Sequence, residues 1–424
     1  MKKPELLAPA GDLEKLKFAL EYGADAVYAG GKSFGLRAYA GNLDDRDLQL
    51  AVDYTHKLGR KIYITVNIFA HEPDFAYLSD YLKQLSALQV DGIIVSDPGV
   101  IKVAKEVAPE LQLHLSTQAN CTNSASANFW FSQGIKRVVL ARELTLQEIK
   151  EVRQRAQGEL EMFVHGAMCM SYSGRCLLSN YLTGRDANRG ECTHPCRWGY
   201  ALVEEKRPGQ FFPIEEDSRG SYIFNSHDLC LLPYLSLLKD LELDSFKIEG
   251  RMKSLYYVAS TVKVYRQAID TLWEQGEDEF RRRLDSWFQE LDKVSHRDYS
   301  SGFLFGKPGA EAHNIKTSNY IREYTFVGRV LAPEEYAGLG GEKTEPEREG
   351  VSWIEQRNNF RVGEELEVLS PHEDPWTFVV KDLWDEEGAE VEVARHPQQK
   401  LKIAVPRNLS PFSILRRKKN QAQN

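Results

Sequence analysis

The chain has 424 residues, 42% hydrophobic and 27% charged, with a formal net charge of −8. That length predicts two or three domains around a sizeable core, and the negative balance excludes a global attraction for nucleic acid, so any RNA contact must be local. The N-terminus MKKPELLAPAGD has no apolar run long enough for a signal peptide, and no uncharged apolar stretch of about 18 residues offers a membrane span; a cytoplasmic protein without a membrane partner is expected.

In chain order, the first part alternates short apolar runs with amphipathic stretches. The candidate strands are ELLAPA, ADAVYAG, KIYITVNIF, DGIIVSD, LQLHLST, KRVVLARE, LEMFVHG and DSFKIEG. Most are separated by roughly 20 to 35 residues, room for a helix and two loops. Asp12 is placed to cap the first helix, LEKLKFALEY, and Gly23 to end it. Eight such strands predict a closed (β/α)8 TIM-like barrel over residues 1–255 rather than an open doubly wound sheet.

Between LEMFVHG and DSFKIEG the interval widens to about 80 residues, and an insertion at about 166–232, before the last strand, lies in that gap. An insertion following a barrel strand sits at the C-terminal mouth, where barrel enzymes place their chemistry. A helical extension and connector are expected over 256–319, from SLYYVASTVKVYRQAIDTLWEQ, EDEFRRRLDSWFQELDKV and the Gly-rich SSGFLFGKPGAEAH. Short β runs separated by turn residues then predict a small β-barrel over 320–415, interrupted by the exposed loop GLGGEKTEPEREG. Residues 416–424 read as a basic tail, in which Arg416, Arg417, Lys418 and Lys419 are either a solvated terminus or a local RNA patch.

Four of the six cysteines fall in one short stretch of the insertion, Cys169, Cys176, Cys192 and Cys196, with Cys230 near its end. In a reducing compartment such a cluster points to metal binding or redox chemistry rather than disulfides. Gly166, Gly174 and Gly190 allow tight turns that aim the thiolates at one point. Four thiolates suit either tetrahedral zinc or a [4Fe–4S] cluster. Zinc sites usually come as two short Cys pairs, and the uneven spacing here fits an iron–sulfur cluster more naturally; both remain open. Cys121 reads as a small core residue, and Cys230 as core or an alternative fourth ligand.

The strand ends supply the other candidates: Tyr28, Arg37, Asn67, Gln118, Arg142, Glu143, His165, Lys247, Glu249 and Arg251. Arg37, Arg142 and Arg251 could clamp the carboxylates of a small dianionic acid, or RNA phosphates, through bidentate bonds; the competing reading for each is a structural ion pair, such as Glu249 with an arginine. Glu249, Arg251 and His165 are the catalytic candidates, and Arg37, Asn67, Gln118, Arg142 and Lys247 the substrate-binding ones. A peptidase would need a nucleophile and a base, or a metal-activated water. No Gly-x-Ser-x-Gly elbow is present, and HEPDF at His71 lacks the second histidine of a zinc-protease motif. A cysteine nucleophile would need a paired histidine, and His165, just ahead of the clustered thiols, is the candidate taken here.

The run Glu161, Phe163, Gly166, Ala167, Met168, Cys169, Gly174, Cys176, Leu178 and Ser179 resembles, at every position, the signature of the collagenase-like peptidases of unknown mechanism, family U32. The resemblance extends to LLAPAGDLEKLKFALEYGADAVYAGG and to SFKIEGRMKS, covering most of residues 1–270. It implies more than peptidase activity. Members of this family include hydroxylases of RNA and of ubiquinone that hold a [4Fe–4S] cluster on four cysteines. CLLSNYLTGRDANRGECTHPCRWGY and the C-terminal β-domain are most similar to the branch that makes 5-hydroxyuridine at wobble position 34 of tRNA with prephenate as co-substrate. The implied cluster ligands are Cys169, Cys176, Cys192 and Cys196, with Cys230 kept as an alternative because the ubiquinone branch draws its fourth ligand from a later position. The implied partners are tRNA and the iron–sulfur assembly machinery. A redox centre answers a chemical need, since hydroxylating a pyrimidine is beyond unaided side chains, and the wobble base is already unpaired. The alternatives are a peptidase, a sister hydroxylase of ribosomal RNA, and a non-catalytic RNA binder with structural zinc.

Overall fold

The computed structural model describes residues 2–32, 34–35, 41–168, 171, 175–187, 190–195, 198, 201–202, 212–213, 227–306, 323–337 and 350–419. The chain divides into two compact units, residues 1–288 with 296–320, and residues 289–295 with 321–424.

In the first unit eight parallel strands close into a barrel. They are β1 (Glu5–Pro9), β2 (Ala26–Ala29), β3 (Lys61–Val66), β4 (Gly92–Val95), β5 (Leu113–Leu115), β6 (Arg137–Val139), β7 (Glu159–Ala167) and β11 (Ser245–Ile248), the last pairing with both β1 and β7. These are the eight strands expected from the sequence. Every residue of β2 and of β4 is buried, because a parallel sheet covered by helices is apolar on both faces.

Helices α1 (Leu13–Glu21), α2 (Asp45–Lys57), α3 (Phe75–Ala87), α4 (Pro98–Val107), α5 (Ser124–Ser132) and α6 (Leu146–Arg155) link successive strands. Asp12 accepts from the Lys15 amide at 2.8 Å and caps α1; Asp44, Asp97, Asn123 and Thr145 cap α2, α4, α5 and α6 in the same way. After β7 the insertion holds α7 (Leu178–Thr183), the antiparallel pair β8 (Ala201–Leu202) and β9 (Phe212–Pro213), and β10 (Asp228–Cys230). β10 returns antiparallel onto β7, with Asp228 opposite Ala167 and Cys230 opposite His165. The short α8 (Leu235–Lys239) then leads into β11.

Helix α9 (Leu255–Glu274) differs from the helical extension expected from 256. It packs on α1 and β1 and takes the place of the barrel's eighth helix. Arg266 reaches Asp25 at 2.8 Å and Lys3 reaches Asp270 at 2.8 Å, and most of the helix is buried. α10 (Glu277–Asp292) and β12 (Tyr299–Ser300), which pairs with β10, follow.

The second unit holds the short α11 (Pro333–Tyr336) and strands β13 (Tyr324–Val330), β14 (Val351–Gln356), β15 (Phe360–Arg361), β16 (Glu365–Leu369), β17 (Trp376–Val379), β18 (Leu383–Trp384), β19 (Val393–Ala394), β20 (Lys400–Ala404) and β21 (Ile414–Lys418). Seven form an antiparallel sheet in the order β17-β16-β21-β13-β14-β20-β18, and β15 pairs with β19. One apolar cluster, including Val327, Ile354, Phe360, Leu366, Phe378, Leu383, Ala394, Leu401 and Leu415, draws a residue from each strand, so the sheet is rolled around a single core.

The basic tail expected from 416 is corrected here. Arg416 lies within β21, fully buried, and donates to Glu367 at 2.7 Å and to Glu290 at 2.6 Å. Arg417 pairs with Glu364. Two carboxylates neutralise the buried guanidinium, so the run of four cations starts inside the sheet, and only Lys418 and Lys419 are exposed.

Candidate active site at the barrel mouth

Inward-pointing residues of the barrel include the apolar cluster Leu7, Ala26, Tyr28, Tyr63 and Ile94. Charged groups share this interior. Arg137 on β6 bonds Glu5 at 2.5 Å and Glu161 at 3.2 Å, and Lys247 on β11 donates to the other oxygen of Glu161 at 2.9 Å. Glu161 is 1% exposed and Lys247 4%. Burial alone would push the Glu161 carboxyl up, but Lys247 and Arg137 overcome it and hold the pKa down at about 2. The Lys247 ammonium lies 4.5 Å from the Tyr28 ring centroid and 5.4 Å from that of Phe163. The Arg142 guanidinium lies 5.1 Å from the same Phe163 ring. His114 packs on Tyr63 at 4.5 Å, with neither ring nitrogen hydrogen-bonded among the described residues. Burial, helped by Arg137, drives its pKa down to about 3.

Above this layer the strand ends converge. Arg251, buried on the loop after β11, donates to Thr65 at 3.0 Å and to Asn42 at 2.6 Å. Its guanidinium lies so close to Gly30 that a methyl group there would overlap it. Asn67 donates to Gln118 at 2.6 Å, and Ser116 donates to the same Gln118 oxygen at 3.0 Å. Tyr28 donates to the Ile248 carbonyl at 2.9 Å and approaches Glu249 at 3.4 Å. Arg142 donates to the Ala167 carbonyl at 2.8 Å, and burial raises the pKa of its neighbour Glu143 against the pull of that guanidinium. Asn67, Gln118, Arg142, Lys247, Glu249 and Arg251 thus gather at one end of the barrel; Arg37 lies outside the described residues. Asn42 and Thr65 went unnoticed in the sequence, although Thr65 occupies an inward position of β3 two residues beyond Tyr63.

His165 is the exception. Strict alternation from Glu161 and Phe163 would point it into the barrel. Where β7 meets β11, Lys247 opposes Phe163 but Ile248 opposes His165, and this irregularity at Val164 turns the next side chain outward. The Tyr265 hydroxyl occupies the Val164 carbonyl at 2.8 Å. The His165 ring is enclosed by Tyr257, Tyr265 and Tyr299, with centroids 5.4 to 5.9 Å away. Burial lowers its pKa to about 3. The expected mouth histidine is an aromatic-enclosed one.

The insertion begins at Gly166, whose φ of 112° favours glycine and where a Cβ would strike the Glu249 carbonyl; Gly190 has a φ of 93°. Ser179 on α7 and Thr193 share hydrogen bonds of 3.1 Å, and the Thr183 hydroxyl joins them. These bonds tie together the two stretches carrying Cys176 and Cys192, both half-buried. Cys169 and Cys196 lie outside the described residues, and among the described ones no three His, Cys, Asp or Glu side chains form a metal-holding group. Cys230 is buried in β10 with its sulfur 3.9 Å from the Tyr265 hydroxyl. Cys121 is buried, its thiol pKa pushed up to about 11.

Polar side chains converging at the C-terminal ends of parallel strands, beside a thiol-bearing insertion, are the build of a barrel enzyme. The chain belongs to peptidase family U32: the family model matches residues 11–314, and the model of the U32 C-terminal domain matches residues 322–416. It is 41% identical to tRNA hydroxylation protein P1 of Bacillus subtilis, over 99% of this chain and 96% of the relative. It is 36% identical to tRNA hydroxylation protein P of Escherichia coli, over 96% of this chain and 95% of the relative. A 23S ribosomal RNA 5-hydroxycytidine synthase of Escherichia coli is 35% identical over 72% of this chain and 46% of its own length.

Proposed function

We propose that this protein is an RNA hydroxylase of the cytoplasm that converts the uridine at wobble position 34 of tRNA to 5-hydroxyuridine. The observation that carries this reading is the similarity, over nearly the whole length, to two proteins named for tRNA hydroxylation. No helix among the described residues is long and apolar enough to cross a membrane.

In this reading prephenate is the co-substrate, and Cys169, Cys176, Cys192 and Cys196 hold a [4Fe–4S] cluster delivered by the assembly machinery. The donor set fits such a group: thiols from one insertion, two of them on stretches joined through Ser179 and Thr193. Zinc is the alternative occupant. The cluster would supply the redox chemistry that side chains lack. The chain's own residues bind and orient: the Arg251 guanidinium and the Asn67–Gln118 pair present fixed polar groups at the mouth, and the barrel wall excludes water from one side. The peptidase reading is weakened, because its candidate base His165 bonds toward Tyr265 and is enclosed by tyrosines. Ribosomal RNA remains the competing substrate, favoured by the similarity to the hydroxycytidine synthase.

Mass spectrometry of tRNA and ribosomal RNA nucleosides from a deletion strain tests the proposal. Loss of 5-hydroxyuridine from tRNA, restored by the intact gene, is the expected result; unchanged tRNA with an altered ribosomal nucleoside would transfer the activity to the competitor. A brown protein, purified without air and absorbing broadly in the visible, is expected for the cluster; a colourless protein with zinc would remove it.

A further inference from the structure

The interiors of (β/α)8 barrels are usually filled by layers of branched apolar side chains. Beside its apolar residues this one carries an alternating column of charge: Glu5, Arg137, Glu161 and Lys247, from β1, β6, β7 and β11, joined at 2.5, 3.2 and 2.9 Å. Arg137, Glu161 and Lys247 are each no more than 5% exposed. Buried pairs of this kind contribute little to stability compared with apolar residues of the same volume, so packing alone does not account for the column.

Its order has a direction. Arg137 fixes one oxygen of Glu161 from the N-terminal side of the barrel, leaving the other to Lys247. Lys247 is the last inward residue of β11, next to the strand end where Glu249 and Arg251 begin the mouth. An ammonium has three donors and no acceptor; one N–H goes to Glu161, and the Tyr28 and Phe163 rings flank the rest at 4.5 and 5.4 Å. The result is a cation held in place from below, with aromatic walls, at the bottom of the polar mouth.

We infer that Lys247 is the cation that meets an electron-rich oxygen of the substrate at the floor of the mouth, and that Glu161, backed by Arg137 and Glu5, is the positioning residue that keeps it there. The oxygen belongs either to a carbonyl of the target pyrimidine or to a carboxylate of the small acid co-substrate. The inference rests on the hydroxylase reading above.

The experiment uses purified full-length protein and the variants Lys247→Met, Glu161→Gln, Glu161→Asp and the double variant Glu161→Gln/Lys247→Met. Folding is followed by thermal unfolding, turnover by 5-hydroxyuridine in tRNA, and binding by separate titrations with tRNA and with prephenate. Lys247→Met is expected to fold and to lose about 100-fold or more in turnover, the scale of removing one preorganised donor. A loss of tRNA affinity assigns the oxygen to the pyrimidine, and a loss of prephenate affinity assigns it to the acid. Glu161→Gln should lower kcat by about tenfold with KM little changed, and Glu161→Asp should recover part of it. If Glu161→Gln fails to fold, the double variant, which removes both charges, still reports: folded and inactive is expected. A folded Lys247→Met or double variant that turns over within about threefold of the wild type would overturn the inference. Wild-type protein that forms no 5-hydroxyuridine would instead overturn the hydroxylase reading on which it rests.

Discussion

Arg251, on the loop after the last barrel strand, donates to Thr65 on β3 across 3.0 Å, although 186 positions separate them in sequence. The same guanidinium holds Asn42, so one side chain joins the loops after β11 and β2 to strand β3. Gly30 makes room for it. Gly30→Ala should therefore displace the guanidinium and lower turnover by about tenfold or more, as small misplacements in active sites do. Activity and thermal unfolding measured together check this; an active variant of wild-type stability would dissociate the Arg251 position from catalysis.

The cysteines divide by environment. Under the proposed cluster assignment, Cys176→Ala and Cys192→Ala should each abolish iron retention and 5-hydroxyuridine formation together, because a cluster lacking one of four thiolates would not be held. Cys121→Ala removes only a small buried side chain and should cost stability by about 1 kcal/mol while leaving iron bound. Iron content per chain, measured after anaerobic purification, separates the two groups.

His114 sets an acid limit on the barrel. Its neighbours in the interior are Arg137, Glu161, Lys247 and Glu159. An unfolded chain protonates this histidine below about pH 6.5, whereas the folded barrel resists protonation down to about 3. The unfolded state thus binds the extra proton in that window, and stability falls as pH drops through it, by about 1.4 kcal/mol per pH unit. Urea unfolding at pH 7 and pH 5 should show the slope in the wild type, and His114→Phe should reduce it by that amount. An identical slope in the variant would place the acid sensitivity elsewhere.

Arg416 belongs to the core of the second unit. Arg416→Met leaves Glu290 and Glu367 without their shared guanidinium and should destabilise that unit by roughly 3 kcal/mol. The exposed Lys418 and Lys419 are the cations whose neutralisation should weaken tRNA binding and flatten its salt dependence. Filter binding across salt concentrations, with calorimetry on the same proteins, tests both halves.

How far the sequence carries can be seen residue by residue. The barrel strands were legible because a buried parallel strand needs an uninterrupted apolar run, and the cap at Asp12 announces its helix. Most mouth residues were legible as strand-end polar groups. The interior column was not: Glu5 and Arg137 drew no attention and Lys247 read only as a mouth residue, until the register of four strands sets them face to face. His165 was misplaced because a bulge at Val164 leaves no mark on an alternating pattern. In β21 the three successive residues Ile414, Leu415 and Arg416 are all buried, and nothing in that run separates Arg416 from the cations that follow it.

The cysteine insertion leaves β7 at Ala167 and comes back at Asp228, opposite that same residue in the ladder. Departure and return share one rung, so the excursion is a side loop spliced onto a barrel that closes without it. Doubling the length of such a loop costs only about 0.6 kcal/mol. The contents of this cassette can therefore change in length and sequence while the scaffold beneath stays untouched.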